Sequence, residues 1–299
     1  MAIKVGVLRG GPSHGYDDSL KTGSYVLNLL RQMPEEYEPI DIFISRDGEW
    51  HTSGLNAEPH QILSRTDVVW NALHGHYGED GQVQQILNNL HLPYLGSSTV
   101  TSAFSHNKEM AKELYRRHSL LTPVSQVLTE DECDDAVLLE IFHTYLQPVI
   151  IKPTTGVRAL GVRIAHTFQE LKDGVKKTFS HSPRILVEEY IRGTPSSCTV
   201  IEKAKGERLY TLLPSGRHAS ELNRKVEDMA RRAHVALGQR HYSSSDFIIT
   251  PKGKIYILET NSVPVLHEDS LLHHSLRATG WRPKDFADHC LKLVLNRLD

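Results

Sequence analysis

Three residues near the C-terminus have types and spacing suited to chemistry. Asp246 lies in Ser244-Ser245-Asp246-Phe247-Ile248-Ile249, and Glu259 and Asn261 lie in Tyr256-Ile257-Leu258-Glu259-Thr260-Asn261. Asp246 begins one apolar strand and Glu259 ends the next, and Thr250-Pro251-Lys252-Gly253 is the turn between them. Antiparallel pairing sets the two carboxylates side by side on one face. Two carboxylates and an amide oxygen, with no His or Cys among them, suit a hard cation, Mg2+ or Mn2+, that bridges phosphates. Each residue alone is an ordinary polar strand end. The order strand, turn, strand, E-x-N is what sets them apart.

Two glycine clusters bear on phosphate binding. Gly10-Gly11-x-x-x-Gly15 follows a strand but lacks the G-x-G-x-x-G spacing of a dinucleotide fingerprint. Gly156-x-x-x-x-Gly161 has P-loop spacing but continues Val162-Arg163 instead of Lys-Ser/Thr. The second cluster sits between two strand-like runs, with Lys152 just before it and Arg158 inside it. A hairpin loop with basic flanks can fold over phosphates.

The elements that must position these residues alternate along the chain. Ile3 to Leu8, Tyr37 to Ser45 and Asp67 to Leu73 read as strands, with a helix expected from near Ser19 and another over Gly81 to Leu90. That alternation implies parallel βαβ units up to about residue 105. Asn107 to His118 is a charged amphipathic helix. Strands at Pro148 to Pro153, Gly161 to Ala165 and Arg184 to Tyr190, with a helix at Phe168 to Thr178, form a middle unit of 106–193. A third unit, 194–299, holds strands at Ser196 to Glu202, Ser245 to Ile249 and Lys254 to Glu259. It also holds helices at Ser220 to Leu237 and Lys284 to Leu298. The fold class expected is α/β in three units.

Composition narrows the function. Thirty-four basic residues against 36 acidic give a net charge of −2, so the chain has no basic footprint for nucleic acid. Gly81 to Asn107 carries no Asp, Glu, Lys or Arg, but its Gln, Asn, Ser, Thr and His exclude a membrane span. Three cysteines, Cys133, Cys198 and Cys290, form no disulfide framework and no metal-ligand spacing, and Met1 to Val5 shows no signal-peptide layout. These features point to a cytoplasmic protein. The chain has 18 histidines but no H-x-x-x-H helical spacing, which argues against zinc.

The acidic hairpin resembles the metal-binding hairpin of ATP-grasp enzymes. Lys152 in PVIIKP and Glu188-Glu189 in VEEYI resemble their nucleotide-binding strands. Over residues 3–299 the order of motifs is similar to the D-alanine–D-alanine ligase branch of that family. Asn71-Ala72-Leu73-His74-Gly75-His76-Tyr77-Gly78-Glu79-Asp80-Gly81 resembles its LHG-x-x-GEDG signature, Leu92 to Ser97 its IPYTGS segment, and VLRGGPS its VLxGGxS start.

The resemblance implies an ATP-grasp fold with an N-terminal Rossmann-like pre-ATP-grasp domain (1–105), a central lid domain (106–193) and a C-terminal domain with the metal site (194–299). ATP would lie between the last two. Lys108 and Lys152 would neutralise its phosphates, Glu188 would accept from the adenine amino group, and Glu189, Ile191 and Gly156 would complete the nucleotide site. Asp246, Glu259 and Asn261 would hold Mg2+ or Mn2+. His74 would stand near the first substrate's carboxylate, and Ser270-Leu271 would hold the second's. The activity implied is ADP-forming ligation of two amino acids through an acyl phosphate, with D-alanine as the substrate expected, in a homodimer that makes peptidoglycan precursors.

The departures from the family pattern fall on the substrate side. The family's ammonium-binding Glu is matched by Gly15, with Asp17 or Asp18 as possible replacements. Its lid serine is matched by Arg158, its Arg before the metal Asp by Ser244, its late Gly by Val265 and its ribose acid by Pro195. The family's substrate-closing loop, with a Tyr and a Lys, is missing between Gly193 and Ser220. Arg158 is the candidate to replace the lost Arg charge. These changes leave three readings open: the D-alanine ligase, a ligase of the same branch with another amino-acid or carboxylate substrate, and a weakly catalytic ATP-binding homologue.

Overall fold

The computed structural model describes residues 2–156, 161–216 and 218–296. Within these residues the chain builds three sheets in sequence order. The first uses β1 (Ile3–Gly10), β2 (Tyr37–Ile44), β3 (Trp50–Thr52), β4 (Leu55–Asn56), β5 (Val68–Asn71) and β6 (Tyr94–Leu95), in the order β4-β3-β2-β1-β5-β6. Its strands β2, β1, β5 and β6 run parallel. Helices α1 (Tyr16–Leu30), α2 (Pro59–Leu63), α3 (Gln82–Asn89) and α4 (Thr99–His106) belong to this segment. The parallel strands are buried on both faces, which is why β1 and β5 read as apolar runs rather than alternating ones. Helix α1 begins at Tyr16, earlier than the expected start near Ser19. Asp17 and Asp18 occupy its first turn, where carboxylates favour the helix dipole.

Helix α5 (Lys108–Arg117) leads to the second sheet. Asn107 caps it by accepting from the Glu109 and Met110 amides. That sheet is antiparallel, β7 (Ser125–Thr129), β10 (Arg184–Glu189), β8 (Val149–Pro153), β9 (Arg163–Ala165), and α6 (Asp135–Thr144) and α7 (Phe168–Phe179) accompany it. The third sheet, also antiparallel, runs β12 (Glu207–Thr211), β11 (Thr194–Ala204), β13 (Tyr242–Ile249), β14 (Ile255–Asn261). Helices α8 (Ser220–Leu237), α9 (Leu271–Ala278) and α10 (Pro283–Val294) complete the chain.

The middle sheet has its own core of Leu128, Ile151, Leu171, Ile185 and Val187. The first and third sheets share one: Val5, Val26 and Trp70 lie in the same buried cluster as Ile201, Tyr242 and Phe286. Among the described residues no helix is long and apolar enough to cross a membrane. The charge-free stretch 81–107 folds as α3, β6 and α4.

Candidate active site

The hairpin β13–β14 places its two carboxylates face to face: Asp246 pairs with Glu259, and Ser244 with Asn261. Directly after the acidic pair the register shifts, and Phe247 pairs with Ile257. Leu258 is therefore the extra residue of a β-bulge. Without it, Ile257 and Glu259 would share a face, since side chains alternate along a strand. The bulge lets Ile257 stay buried in the core with Phe247 while Glu259 turns to the side of Asp246. Asn261 Nδ2 donates to Asp246 Oδ2 at 3.4 Å. Burial, reinforced by the neighbouring Glu259, pushes the Asp246 carboxyl up to about 7.

Helix α5 faces this hairpin. The Tyr115 hydroxyl donates to Thr260 Oγ1 at 2.8 Å, and Ser245 Oγ shares that oxygen at 2.8 Å, which fixes the helix against β14. At its first turn Lys108 is buried. Its amide donates to Thr154 O (2.8 Å) and its Nζ to Gly156 O (2.9 Å), with Glu259 Oε2 at 3.5 Å. Lys108 thus joins the acidic hairpin to the loop after β8.

A cavity of about 260 Å3 opens beside Lys108, lined by Lys152, Glu188, Glu189, Ile191, Leu258 and Glu259 among others. Lys152 Nζ lies 2.5 Å from Glu188 Oε1, and Lys112 Nζ lies 2.9 Å from Glu188 Oε2. Burial works against a charged Glu188, but the two lysines outweigh it and hold the carboxyl below its ordinary range. Glu189 is turned to the chain entering β7, where its Oε1 accepts from the Val124 amide at 2.9 Å. An adjoining smaller pocket is lined by Glu79, His106, Lys108, Gly156, Glu259 and Asn261. Within the first-sheet segment, Glu79 Oε2 accepts from the Gly75 amide at 2.7 Å. Burial, partly offset by that bond, raises the Glu79 carboxyl to about 8. Burial and the nearby Lys108 lower His106 to about 4, so its imidazole is neutral at pH 7.

A second constellation forms around His74. Its Nε2 lies 2.9 Å from Thr22 Oγ1, and its carbonyl accepts from the Ser13 hydroxyl. Gly15 presses on the same residue: a Cβ there would stand 2.6 Å from the His74 carbonyl oxygen. No larger side chain fits at 15 without moving this backbone. Asp17 is exposed and pairs with Arg46 at 3.4 Å. Ser270 caps α9, accepting from the His273 amide at 3.2 Å, and Leu271 follows it exposed.

The structure therefore gathers Lys108, Lys152, Glu188, Glu189, Ile191, Gly156, Glu259 and Asn261 around two adjoining pockets, and Asp246, which lines neither, stands beside them through its pairing with Glu259 and its hydrogen bond from Asn261. His74 and Gly15 touch each other elsewhere, and Asp17, Ser270 and Leu271 line neither pocket. Arg158 lies outside the described residues. Sequence reasoning passed over Lys112 and left Glu79 without a role. The signals were present: Lys112 is one helical turn from Lys108, and Glu79 is the acid of the Gly78-Glu79-Asp80-Gly81 run.

The donor set at the hairpin fits a hard cation. Two carboxylate groups crowd each other, one of them raised toward neutrality, and an amide stands beside them. No cluster of three or more His, Cys, Asp or Glu that could hold a metal occurs among the described residues.

Comparison with known proteins shows the family of the chain. The family model for the D-ala D-ala ligase N-terminus matches residues 53–97, and that for the D-ala D-ala ligase C-terminus matches 122–213 and 211–292. The chain belongs to the D-alanine–D-alanine ligase family. A D-alanine--D-alanine ligase of Geotalea uraniireducens is 33% identical over 310 residues, covering 96% of this chain and 94% of that protein. One from Geobacter sulfurreducens is 31% identical, covering 96% and 93%. Among solved structures, the D-alanine--D-alanine ligase of Bacillus anthracis complexed with ATP superposes with a TM-score of 0.81 at 26% identity, covering 99% of this chain and 98% of that one. The D-alanine-D-alanine ligase from Coxiella burnetii has the same fold, with a TM-score of 0.88 at 21% identity and coverage of 99% and 94%. The fold is that of the ATP-grasp enzymes. The C-terminal family match comes in two pieces that meet at the end of β12. β12 ends at Thr211 and α8 begins at Ser220. Ser215 ties this short connection down: its Oγ accepts from the Ser197 amide at 2.8 Å and its carbonyl from Ser196 Oγ at 2.7 Å.

Proposed function

We propose that this chain is an ADP-forming carboxylate–amine ligase that joins two D-alanine molecules in the cytoplasm, working as three units, 1–105, 106–193 and 194–299, in a homodimer. The observation that carries the reading is the paired Asp246 and Glu259 facing Lys108, next to a cavity that ends in Lys152. Few arrangements other than a polyphosphate site place a carboxylate pair and two buried lysines around one opening.

ATP binds in the 260 Å3 cavity, with its base toward Ile191 and Glu189 and its phosphates toward Lys152 and Lys108. Both oxygens of Glu188 are held by lysines, so this carboxylate serves the base less directly than the family pattern implies. Asp246, Glu259 and Asn261 would hold Mg2+ or Mn2+, which would offset the charge of the phosphates. The carboxylate of the first amino acid takes the γ-phosphoryl group, giving ADP and an acyl phosphate. The amine of the second amino acid attacks the acyl carbon, and phosphate leaves as the amide forms. His74 receives the first substrate's carboxylate end, and Ser270 and Leu271 the second's. Asp17 is the acidic group nearest in sequence to the loop at Gly15. Arg158 is the residue we assign, from the sequence, to replace the cationic charge lost at Ser244.

One observation favours a second reading, in which the first substrate is another amino or carboxylic acid. Gly15 abuts His74 so closely that no side chain can project there, so an ammonium must be met by some other group. A single assay separates the readings. The protein is incubated with Mg-ATP and a panel of D- and L-amino acids, and ADP release and product mass are followed. D-alanine-dependent ADP with a dipeptide product supports the first reading. Turnover only with another acid supports the second. Thermal protection by ATP without any turnover reduces the chain to a nucleotide-binding homologue.

A further inference from the structure

Lys112 is the most deeply buried charged residue described around the nucleotide cavity, and no role has been given to it above. It is 0% exposed. Its Nζ donates to Thr122 Oγ1 at 3.0 Å and to Pro123 O at 2.9 Å, and Glu188 Oε2 lies 2.9 Å away. Two hydrogen bonds and this ion pair surround the ammonium, and Lys112 is not among the residues that line the cavity. Burying an ammonium is costly, and a buried salt bridge by itself is weak evidence of stabilisation. A methionine or leucine would fill the same space at less cost to folding. The charge therefore invites an explanation outside packing.

We propose that Lys112 is a positioning residue for the nucleotide's phosphates: by holding one oxygen of Glu188, it leaves Lys152 with charge to offer to them. The inference rests on the nucleotide reading of the cavity. Lys112 and Lys152 share a single carboxylate, one on each oxygen. Two positive charges against one negative leave this buried cluster with a surplus of one positive charge. Lys152, with 9% of its side chain exposed, is the member that lines the cavity and can express that surplus. With Lys112 uncharged, Glu188 and Lys152 would form a neutral pair, and Lys152 would be held to Glu188 alone. In the low dielectric of the site, that change falls directly on a polyphosphate. Burial draws the Lys112 ammonium down to about 8 while Glu188 pulls it back up, so it still carries its proton at pH 7. The groups that face it are Glu188 on β10, Lys152 on β8 and Arg116 on its own helix. Its neighbour one turn earlier, Lys108, reaches the acidic hairpin. Helix α5 thus serves both ends of the phosphate chain, directly through Lys108 and indirectly through Lys112.

The test is calorimetric titration of the wild type, Lys112→Met and Lys112→Gln with ATP and, separately, with adenosine. Adenosine has the base and ribose but no phosphate, so it also reports whether the pocket is intact. The expected result is that both variants bind ATP about tenfold more weakly, the scale of losing one partly screened charge contact, and bind adenosine as the wild type does. In a Glu188→Gln background Lys152 has no carboxylate partner, so adding Lys112→Met should weaken ATP binding no further than Glu188→Gln does alone. Equal losses for ATP and adenosine, unchanged ATP affinity in the Lys112 variants, or a further tenfold loss when Lys112→Met is added to Glu188→Gln would each overturn the proposal. A wild type that binds neither ligand would instead bring down the nucleotide reading itself, and this inference with it.

Discussion

Asp246 and Glu259 oppose each other across β13 and β14, and a bulge at Leu258 sets in immediately beyond them. The bulge is what allows one strand to serve two faces, with Ile257 in the core and Glu259 in the site. The resulting carboxylate pair is electrostatically unfavourable when nothing lies between its members. The apparent defect has consequences that can be measured.

The first concerns Asp246 and a cation. Its carboxyl is raised from 3.8 to about 7. The folded protein therefore holds this proton more tightly than the unfolded chain does. The associated stability is fully present below pH 4 and is lost as pH rises to 7. In EDTA at pH 8, Asp246→Asn should melt about 3 °C above the wild type. With Mg2+ added the wild type should gain stability and the variant should not. Scanning fluorimetry in both buffers checks this, and a lower melting point for the variant in EDTA would contradict it.

Glu79 gives a second pH signature. Its carboxyl is raised from 4.5 to about 8, chiefly by burial. Below about pH 4 it is protonated in the folded and the unfolded chain alike, so the isosteric Glu79→Gln should melt within about 1 °C of the wild type there. By pH 9 the wild type has had to ionise a buried acid and loses stability, while the variant does not. The difference in melting point between the two proteins should therefore open as pH rises from about 4.5 to 8 and level off above that, and a constant difference from pH 4 to 9 would contradict the assignment.

Gly15 makes a steric prediction. The Cβ of Gly15→Ala would meet the His74 carbonyl oxygen at 2.6 Å and its carbonyl carbon at 2.8 Å. Overpacking of this kind costs about 1–3 kcal/mol. The variant should unfold at lower urea, and ATP binding, whose cavity Gly15 does not line, should persist in its folded fraction. Urea unfolding together with ATP titration checks both parts.

The parts of this arrangement that local pattern specifies were legible in the sequence. The apolar runs of β1 and β5, the charged amphipathic α5 and the hairpin order around Asp246 and Glu259 each follow from side-chain period and turn residues. The strand β12 and the short helices α2 and α4 carry no such periodic signal, and tertiary contacts select them. Lys112 is the clearest case. On a helix of mean polar character it reads as a solvated lysine, and only the packing of β10 over α5 turns it inward onto Glu188. The Leu258 bulge is likewise invisible in sequence, because strict alternation would have put Glu259 on the side of Ile257.

The central claim is that the gathered lysines and carboxylates drive phosphoryl transfer to a substrate carboxylate. It is tested most directly with D-alanine carrying 18O in both carboxyl oxygens. Attack by that carboxylate on the γ-phosphorus, followed by amine attack on the acyl carbon, must leave one substrate oxygen on the phosphate. After turnover with Mg-ATP, mass analysis of the released phosphate should show one 18O atom per molecule, formed together with the dipeptide. Phosphate whose new oxygen comes from solvent water alone, with no 18O acquired from the amino acid, would show that the site only hydrolyses ATP and would contradict the account.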